Sequence, residues 1–245
     1  MKNMKSFFCT SLISMLFPCF LYAQNYYVYP VNPSTKSWGS LTLKERIAVQ
    51  QIPEEKLKNM TTDEVFQAWI DLPGRLEVLA FSTMQKGFEI TKKRYNVLSE
   101  LLNRKDVGSI VLMRYFKIDP DGFKKETKDI EKGRFVTDIG FTELLLSQSE
   151  VLNNLTRIEK KQLLKDIMRK MEKKQNYSDK EKEIFWLESG LILAGRLIKN
   201  DNNSEFKQIL DGNNDVKNAL DRGEITSKPE YEKLYNAVIN ITKNY

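Results

Sequence analysis

The side chains that could do chemistry in this chain are its carboxylates, lysines, serines and tyrosines. The 245 residues include no histidine and only two cysteines, Cys9 and Cys19, which stand close to the start. Beyond that start, catalytic triads that use His or Cys are excluded, as are zinc and haem sites ligated by those residues. The sequence holds neither a Gly-x-Gly-x-x-Gly string nor a Walker A string, the usual phosphate-binding loops. We therefore expect no cofactor.

One carboxylate stands out because of its surroundings. Glu188 lies in the apolar run 184–198, where the only other charged residue is Arg196. Loss of contact with water there would raise its pKa, and a pair of carboxylates, one with a raised pKa, can hydrolyse a glycosidic bond. Structural networks also shift pKa values, so a buried hydrogen bond or an ion pair, with Arg196 or with an arginine of another helix, is the preferred interpretation. Glu188 is the candidate catalytic residue, and no acid partner is identified.

Two helix faces carry candidate binding residues. Asn96, Glu100 and Arg104 recur at every fourth position and either frame a polar pocket or pair with a neighbouring helix. Acidic residues interrupt a second, basic run, so a solvated helix face is the preferred interpretation of that run and a binding surface is the alternative. This basic stripe, which could meet an acidic polymer or a membrane surface, consists of Lys161, Lys165, Arg169 and Lys173.

Residues 24–40 contain two prolines and no helical spacing of apolar residues, which predicts an extended N-terminal arm. Two interpretations of its rings remain open. Tyr and Trp are favoured anchors at protein interfaces, so the arm is a candidate contact surface. Alternatively, the arm lies over the helices and buries its rings. The aromatic residues concerned are Tyr26, Tyr27, Tyr29 and Trp38.

Two stretches resemble the start of a calcium-binding loop, one at 119–122 and one at 211–215. A calcium loop needs further oxygen ligands and a glutamate at its twelfth position. In the first stretch, glycine follows the second aspartate directly, so the spacing fails. Asp, Pro and Gly are typical of turns, and we predict turns in both stretches and no metal site.

Residues 1–23 are predicted to be a secretory signal peptide. Two lysines precede an apolar run, and the small residue Ala23 stands before the expected cleavage point at Gln24. The run is too short for a membrane-spanning helix, which needs about 20 apolar residues. The residues before Cys19 suit lipid attachment poorly, which disfavours a lipoprotein. We expect a secreted or periplasmic protein with no stable membrane span after cleavage.

The charge of the chain is mildly basic, with 39 basic and 33 acidic side chains and a net charge of +6. Two of the basic side chains leave with the signal peptide. The remaining charges of both signs are mixed along the chain. Such a balance favours solubility, and we expect no nucleic-acid partner.

Helix starts are the clearest structural signal. In the capping box, a hydroxyl residue is followed three positions later by a glutamate, and each side chain satisfies a backbone N–H of the other. Amphipathic runs with apolar residues at i, i+3, i+4 and i+7 follow these starts, and no stretch alternates as a strand would. The pattern predicts an all-α protein. The five predicted boxes begin at Thr42, Thr61, Thr156, Ser178 and Ser227.

The helices are expected to form an irregular multi-helix bundle or a short α-solenoid of antiparallel helix pairs. Residues 41–245 have a length typical of a single domain. The charged stretch 123–134 is predicted to be an exposed helix or a mobile connection between possible halves, 41–118 and 138–245. The most apolar helix is predicted at Asp179–Lys199.

Three distinctive strings are Gln-Ile-Pro-Glu-Glu at 51–55, Met-Thr-Thr at 60–62 and Glu-Leu-Leu-Asn-Arg-Lys-Asp at 100–106. With these strings, residues 41–116 resemble an uncharacterised family of secreted bacterial all-helical proteins. The chain departs from the family pattern at Leu72, where an aromatic residue is usual, and at Val97, where glycine is usual. The family has no assigned activity, so the resemblance implies a secreted helical protein and no mechanism.

We expect a binding or interaction protein at the cell envelope or outside the cell, with a protein or a glycan as partner. That role predicts an exposed apolar or aromatic patch of several hundred Å², expected near Tyr26–Trp38. The first alternative is a carboxylate-dependent hydrolase of polysaccharide or peptidoglycan, which requires two carboxylates about 5–10 Å apart in a cleft. The second alternative is an inhibitor or partner of another secreted protein. Whether the protein is an enzyme stays open, with the balance against it.

Overall fold

The computed structural model describes residues 26–178 and 187–243. The predicted signal peptide, residues 1–23, lies outside these ranges. So does most of the first half of the helix predicted at Asp179–Lys199. No helix within the described ranges is long and apolar enough to cross a membrane.

All regular secondary structure in the described residues is helical, which confirms the predicted fold class. The first group of α-helices is α1 (Leu43–Val49), α2 (Glu54–Asn59), α3 (Thr62–Ile70), α4 (Met84–Arg94), α5 (Asn96–Asn103), α6 (Val107–Lys117) and α7 (Asp129–Leu146). The second group is α8 (Ser149–Leu152), α9 (Arg157–Gln175), α10 (Leu187–Asn200), α11 (Ser204–Gly212), α12 (Asn214–Arg222) and α13 (Lys228–Thr242). Short 3₁₀ helices cover Trp38–Ser40, Pro73–Ala80 and Pro120–Lys125.

Three predicted capping boxes form in full, at Thr42, Thr61 and Thr156, and they begin α1, α3 and α9. The hydroxyl oxygen of Thr42 accepts a hydrogen bond from the Glu45 N–H at 3.3 Å. In return, the Glu45 carboxylate accepts from the Thr42 N–H at 2.8 Å. Such a cap typically stabilises a helix by about 1 kcal/mol, so these three helix starts are determined locally.

The box predicted at Ser227 forms only in part. The Oγ of Ser227 accepts from the Glu230 N–H at 3.4 Å, as expected. The Glu230 carboxylate, however, accepts from the Thr226 N–H at 2.8 Å and lies 2.8 Å from Arg222. The guanidinium of Arg222 holds the carboxylate away from the cap residue. The box predicted at Ser178 extends outside the described residues.

Helix α10 forms the centre of the bundle and packs against α7, α9, α11, α12 and α13. Within it, Leu191, Leu193 and Leu197 are fully buried. One apolar cluster extends from Tyr27 in the arm to Ile241 in α13. Helices far apart in the chain also pack together, such as α4 with α12 and α6 with α9. A solenoid repeat contacts only its neighbours, so the architecture is an irregular multi-helix bundle.

The charged stretch 123–134 is largely helical, and most of its side chains are exposed or half-buried, which agrees with the exposed-helix alternative. Asp119 caps the 3₁₀ helix Pro120–Lys125, and α7 begins at Asp129, so part of the stretch forms the first turns of a long helix. Phe123 is buried in a second, smaller apolar cluster with Val136, Ile139 and Tyr177.

Gly87 allows α4 to lie against the 3₁₀ helix Pro73–Ala80. A Cβ atom at this position would lie 2.0 Å from the carbonyl oxygen of Val78, a backbone atom that cannot rotate away. We therefore expect Gly87→Ala to lower the free energy of unfolding by about 3 kcal/mol, as overpacking in a well-packed core does. Urea denaturation followed by circular dichroism measures this loss.

The matched control is Gly133→Ala in α7, because a Cβ atom there would have no atom within 4 Å apart from its chain neighbours and its own helix backbone. Alanine should stabilise that helix by up to about 1 kcal/mol. Equal effects of the two substitutions would contradict the assigned role of Gly87.

Candidate functional site: a polar pocket around Arg196

Arg196 lies in α10, and within the described part of the chain neutral oxygen atoms hold its guanidinium. The Nε donates to the carbonyl oxygen of Leu220 at 2.8 Å. The Nη1 donates to the Oε1 of Gln85 at 2.7 Å and to the Oγ of Ser147 at 3.1 Å. The Nη2 makes a weaker contact of 3.4 Å with the carbonyl oxygen of Asp221. The Nη2 edge is therefore the part of the guanidinium with capacity for a ligand.

Glycine at the end of α12 leaves room for this guanidinium. Gly223 has a φ of 74°, a left-handed conformation that glycine adopts without steric cost. A Cβ atom at Gly223 would lie 3.1 Å from the Nη2 of Arg196. The same residue thus ends α12 and admits the arginine side chain.

Amide side chains continue the network from Arg196 to the end of α7. The Nε2 of Gln85 donates to the Oε1 of Gln148 at 3.0 Å, and the Nε2 of Gln148 donates to the carbonyl oxygen of Leu144 at 2.8 Å. Both Gln148 and Ser147 are buried. Because an amide carries donors on one side and an acceptor on the other, this chain of hydrogen bonds fixes which groups face the pocket.

Arg196 lines a pocket of about 590 Å³ formed by the ends of several helices. This volume lies within the range of roughly 300–1,000 Å³ that is usual for small-ligand sites. Leu152 and Leu220 supply apolar surface. Most of the wall consists of amide and hydroxyl side chains: Gln85, Ser147, Gln148, Ser149, Asn153, Asn200 and Asn202.

The pocket carries more positive than negative charge. Asp221 is the one carboxylate in its lining, and it lies 3.1 Å from the Nζ of Lys199, which also lines the pocket. Burial lowers the pKa of the Arg196 guanidinium to about 10, and the charge of Asp221 opposes that shift. Arg196 therefore remains charged at neutral pH without a carboxylate in hydrogen-bonding contact in the described structure.

A second polar cluster is buried where α6, α7, α9 and α10 meet. Glu143 is 1% exposed, and its carboxylate accepts hydrogen bonds from the hydroxyls of Tyr115, at 2.9 Å, and of Ser189. The Nζ of Lys174, which is also 1% exposed, lies 3.6 Å from the same carboxylate. Each of the four helices contributes one of these side chains.

Lys170 extends this buried cluster along α9. Its Nζ contacts the Asp166 carboxylate and lies 4.4 Å from the centre of the Tyr115 ring. Burial lowers the pKa of Lys170, although Asp166 opposes the shift. Burial also raises the pKa of Tyr115 well above its usual value, and the charge of Glu143 adds to that shift. None of these side chains lines the Arg196 pocket, so we assign the cluster to packing.

Glu188, the predicted catalytic candidate, is exposed in the first turn of α10. Partial burial raises the pKa of its carboxyl, as the sequence predicted, and the charges of Glu224 and Glu230 add to the shift. The Glu230 carboxylate is engaged by Arg222. Glu188 does not line the pocket described above, and Arg196 makes its hydrogen bonds elsewhere.

The arm places its rings in two environments. Tyr27 and Tyr29 are buried, and the hydroxyl of Tyr29 donates to a backbone carbonyl of α3 at 3.0 Å. Tyr26 is half-buried and accepts a hydrogen bond from Arg114 at 3.0 Å, and Trp38 is half-buried as well. Tyr27 and Tyr29 therefore follow the alternative in which the arm buries its rings against the helices. Tyr26 and Trp38 keep part of their surface in contact with solvent.

Asn96, Glu100 and Arg104 pair with their neighbours. The side-chain amide of Asn96 donates to the carbonyl oxygen of Ile52 at 2.7 Å and accepts from the Ile52 N–H at 3.1 Å. Arg104 donates to the carbonyl oxygen of Leu57 at 3.0 Å and lies 2.6 Å from Glu100. These contacts attach α5 to the segment that carries α2.

The basic stripe is divided by ion pairs. Arg169 lies 2.6 Å from an aspartate on its own helix, and Lys173 lies 2.9 Å from Asp119 in the turn before α7. Lys161 and Lys165 are exposed on the surface of α9. The regular spacing is present, but Arg169 and Lys173 already have carboxylate partners within the protein.

The burial of the charged residues in the second cluster could have been predicted from their positions in the sequence, although the helix faces singled out above do not include them. Lys170 and Lys174 have the same helical phase as Leu163 and Ile167, which are buried. Glu143 lies in a run of apolar residues, as Glu188 does. Charged residues in an apolar phase predict a buried network, although their partners cannot be read from one helix alone.

The residues of the Arg196 pocket could not be predicted from the sequence in the same way. Gln85 and Ser147 stand 111 and 49 positions from Arg196. Each is an ordinary residue in its own segment, and only the packing of the helices brings the three together.

Comparisons with protein-family models, with curated proteins and with solved structures each gave no match. The resemblance of residues 41–116 to a family of secreted helical proteins therefore stays a prediction. The functional proposal depends on the geometry of the pocket.

Substitution of Glu143 tests the buried cluster. Glu143→Ala removes the carboxylate that lies 3.6 Å from the buried Nζ of Lys174 and that accepts from Tyr115 and Ser189, and removal of one member of a buried ion pair typically costs about 3–5 kcal/mol. We expect a loss of that size in the free energy of unfolding, measured by urea denaturation. The control is Glu172→Ala, an exposed acid on α9, which should change stability by no more than about 0.5 kcal/mol. A loss below about 1 kcal/mol for Glu143→Ala would show that the cluster contributes little.

Proposed function

We propose that the protein is an exported, non-catalytic binding protein that holds a glycan in the Arg196 pocket. The observation that supports this proposal is the wall of amides and hydroxyls around a guanidinium, already oriented by hydrogen bonds between Gln85, Gln148 and Ser147. Sugar hydroxyls both donate and accept hydrogen bonds, as these side chains do. Groups fixed before binding lose less conformational freedom when the ligand arrives.

Export is supported by the leader sequence. Residues 1–23 combine a basic start, a short apolar run and a small residue before the expected cleavage point. An exported protein meets glycans at the cell surface and outside the cell, which is where the pocket would act.

The carboxylate composition of the pocket favours binding over hydrolysis. Glycosidases of the usual type use two carboxyl groups, and among the described residues that line the pocket the one acid is Asp221, which is paired with Lys199. The buried Glu143 is surrounded by hydrogen-bond donors and is not part of this pocket. A role as an inhibitor through the aromatic arm has weaker support, because Tyr27 and Tyr29 are in the core.

An array of neutral and acidic oligosaccharides, probed with the purified mature protein, tests the proposal. We expect a distinct set of glycans to bind, with affinities then measured by calorimetry. Arg196→Met should weaken binding about tenfold or more, because a hydrogen bond to a charged donor contributes about 1.5–3 kcal/mol. Ser149→Trp should weaken binding by obstruction, since Ser149 is exposed and lines the pocket without contacting Arg196.

The control for both variants is Lys165→Gln, an exposed change on α9 outside the pocket lining. Unfolding midpoints establish that each variant is folded. If glycans bind but both pocket variants retain full affinity, the Arg196 pocket is not the site. Absence of binding to every glycan on the array would reject the proposed function.

A further inference from the structure

A second pocket, of about 530 Å³, adjoins the first at the C-terminal end of α10. The two pockets share Lys199 and Asn202 in their linings. Asn202 has a φ of 55°, a left-handed conformation that turns the chain between α10 and α11. Because the pockets share these residues in their walls, they adjoin each other, and we call the pair the trough.

The trough carries an excess of positive charge along its length. Lys207 and Lys217 line the second pocket, are exposed, and form no ion pair within the described part of the chain. Asp211 is the carboxylate of the second pocket, as Asp221 is of the first. Four cationic side chains thus line the trough with two carboxylates, and each of the two pockets has cations in its lining.

The remaining lining of the second pocket is suited to a sugar ring. Asn203 and Ser204 supply hydrogen-bonding groups to it, and Leu210, which is 7% exposed, supplies a small apolar surface beside them. A pyranose ring presents C–H groups on its faces and hydroxyls at its edge, so it can satisfy both kinds of wall. A nucleic acid would use aromatic platforms for base stacking, and Phe206 is fully buried.

The excess of positive charge is one reason to expect an anionic ligand, and the hydrogen bonding of Arg196 is a second. Its hydrogen bonds in the described structure all go to neutral oxygens, and its Nη2 edge makes the weakest of them. A carboxylate or sulfate at that edge would form a charge-assisted hydrogen bond, which is roughly twice as strong as a neutral one. The first pocket therefore favours an acidic group over a hydroxyl at this position.

Taken with the proposed function, on which this step depends, these observations identify the ligand class. We propose that the ligand is an acidic polysaccharide that lies along the trough, with one anionic group at the Nη2 edge of Arg196 and a further anionic group beside Lys207 and Lys217. A repeating acidic chain fits because the lining of each pocket contains cations, so anionic groups on successive sugars have partners in both pockets.

The experiment compares two forms of one polymer, polygalacturonate and its methyl ester, by calorimetric titration of the mature protein. Both have the same sugar backbone, and only the first is charged. We expect the acid form to bind at least about tenfold more tightly, a difference equivalent to 1.4 kcal/mol. Its affinity should decrease as salt increases, because salt screens exposed charges.

The variant Lys207→Gln/Lys217→Gln removes two charges from the trough and should weaken binding of polygalacturonate about tenfold. The matched control is Lys161→Gln/Lys165→Gln, which removes the same charge from the exposed face of α9. The control should bind as the unmodified protein does. All four lysines are exposed, and unfolding midpoints verify that both variants are folded.

The outcomes separate this inference from the proposed function. If both polymer forms bind equally and Arg196→Met abolishes binding, the glycan pocket stands and the acidic ligand is rejected. If the α9 control loses affinity and the trough variant does not, the basic stripe is the binding surface and both proposals are rejected. Tighter binding of single-stranded DNA than of polygalacturonate would likewise overturn the inference.

Discussion

The buried carboxylate of Glu143 restricts how four helices can pack. Removing a carboxylate from water costs several kcal/mol even after the protein relaxes around it. Here the cost is offset by the hydroxyls of Tyr115 and Ser189 and by the ammonium of Lys174, each from a different helix. Any shift of α6, α9 or α10 along its axis would separate at least one donor from the carboxylate. The cluster therefore specifies the register of these helices more sharply than apolar packing alone does.

The same register positions the surface pocket. Helix α7 carries Glu143 and ends at Leu146, and the buried Ser147 follows at once. Helix α10 carries Ser189 and, two turns later, Arg196. The contact between Glu143 and Ser189 and the contact between Ser147 and Arg196 therefore join the same two helices. A change that displaced α10 from α7 in the interior would also move the guanidinium out of the pocket wall.

Local and long-range features were predictable to different degrees. The boxes at Thr42, Thr61 and Thr156 formed as predicted because their partners lie three residues away. The box at Ser227 formed only in part because Arg222, from the preceding helix, holds the glutamate. The all-helical class follows from local signals of this kind. The pocket and the buried cluster depend on pairs such as Arg196 and Gln85, 111 positions apart, which a single sequence does not specify.

The two polar clusters differ in the partners of their cations, and the difference favours the Arg196 pocket as the proposed ligand site. In the interior, Lys170 contacts Asp166 and Lys174 lies beside Glu143, so the cations there have carboxylate partners. At the pocket, Arg196 is largely withdrawn from water, yet its described hydrogen bonds end on carbonyl, amide and hydroxyl oxygens. The charge of Asp221 acts on the guanidinium without a hydrogen bond to it, and burial still lowers the pKa of Arg196, so part of the cost of burying this cation is not offset. Proteins keep such unfavourable arrangements mainly where function requires them, and a ligand that supplies the missing anion would account for this one.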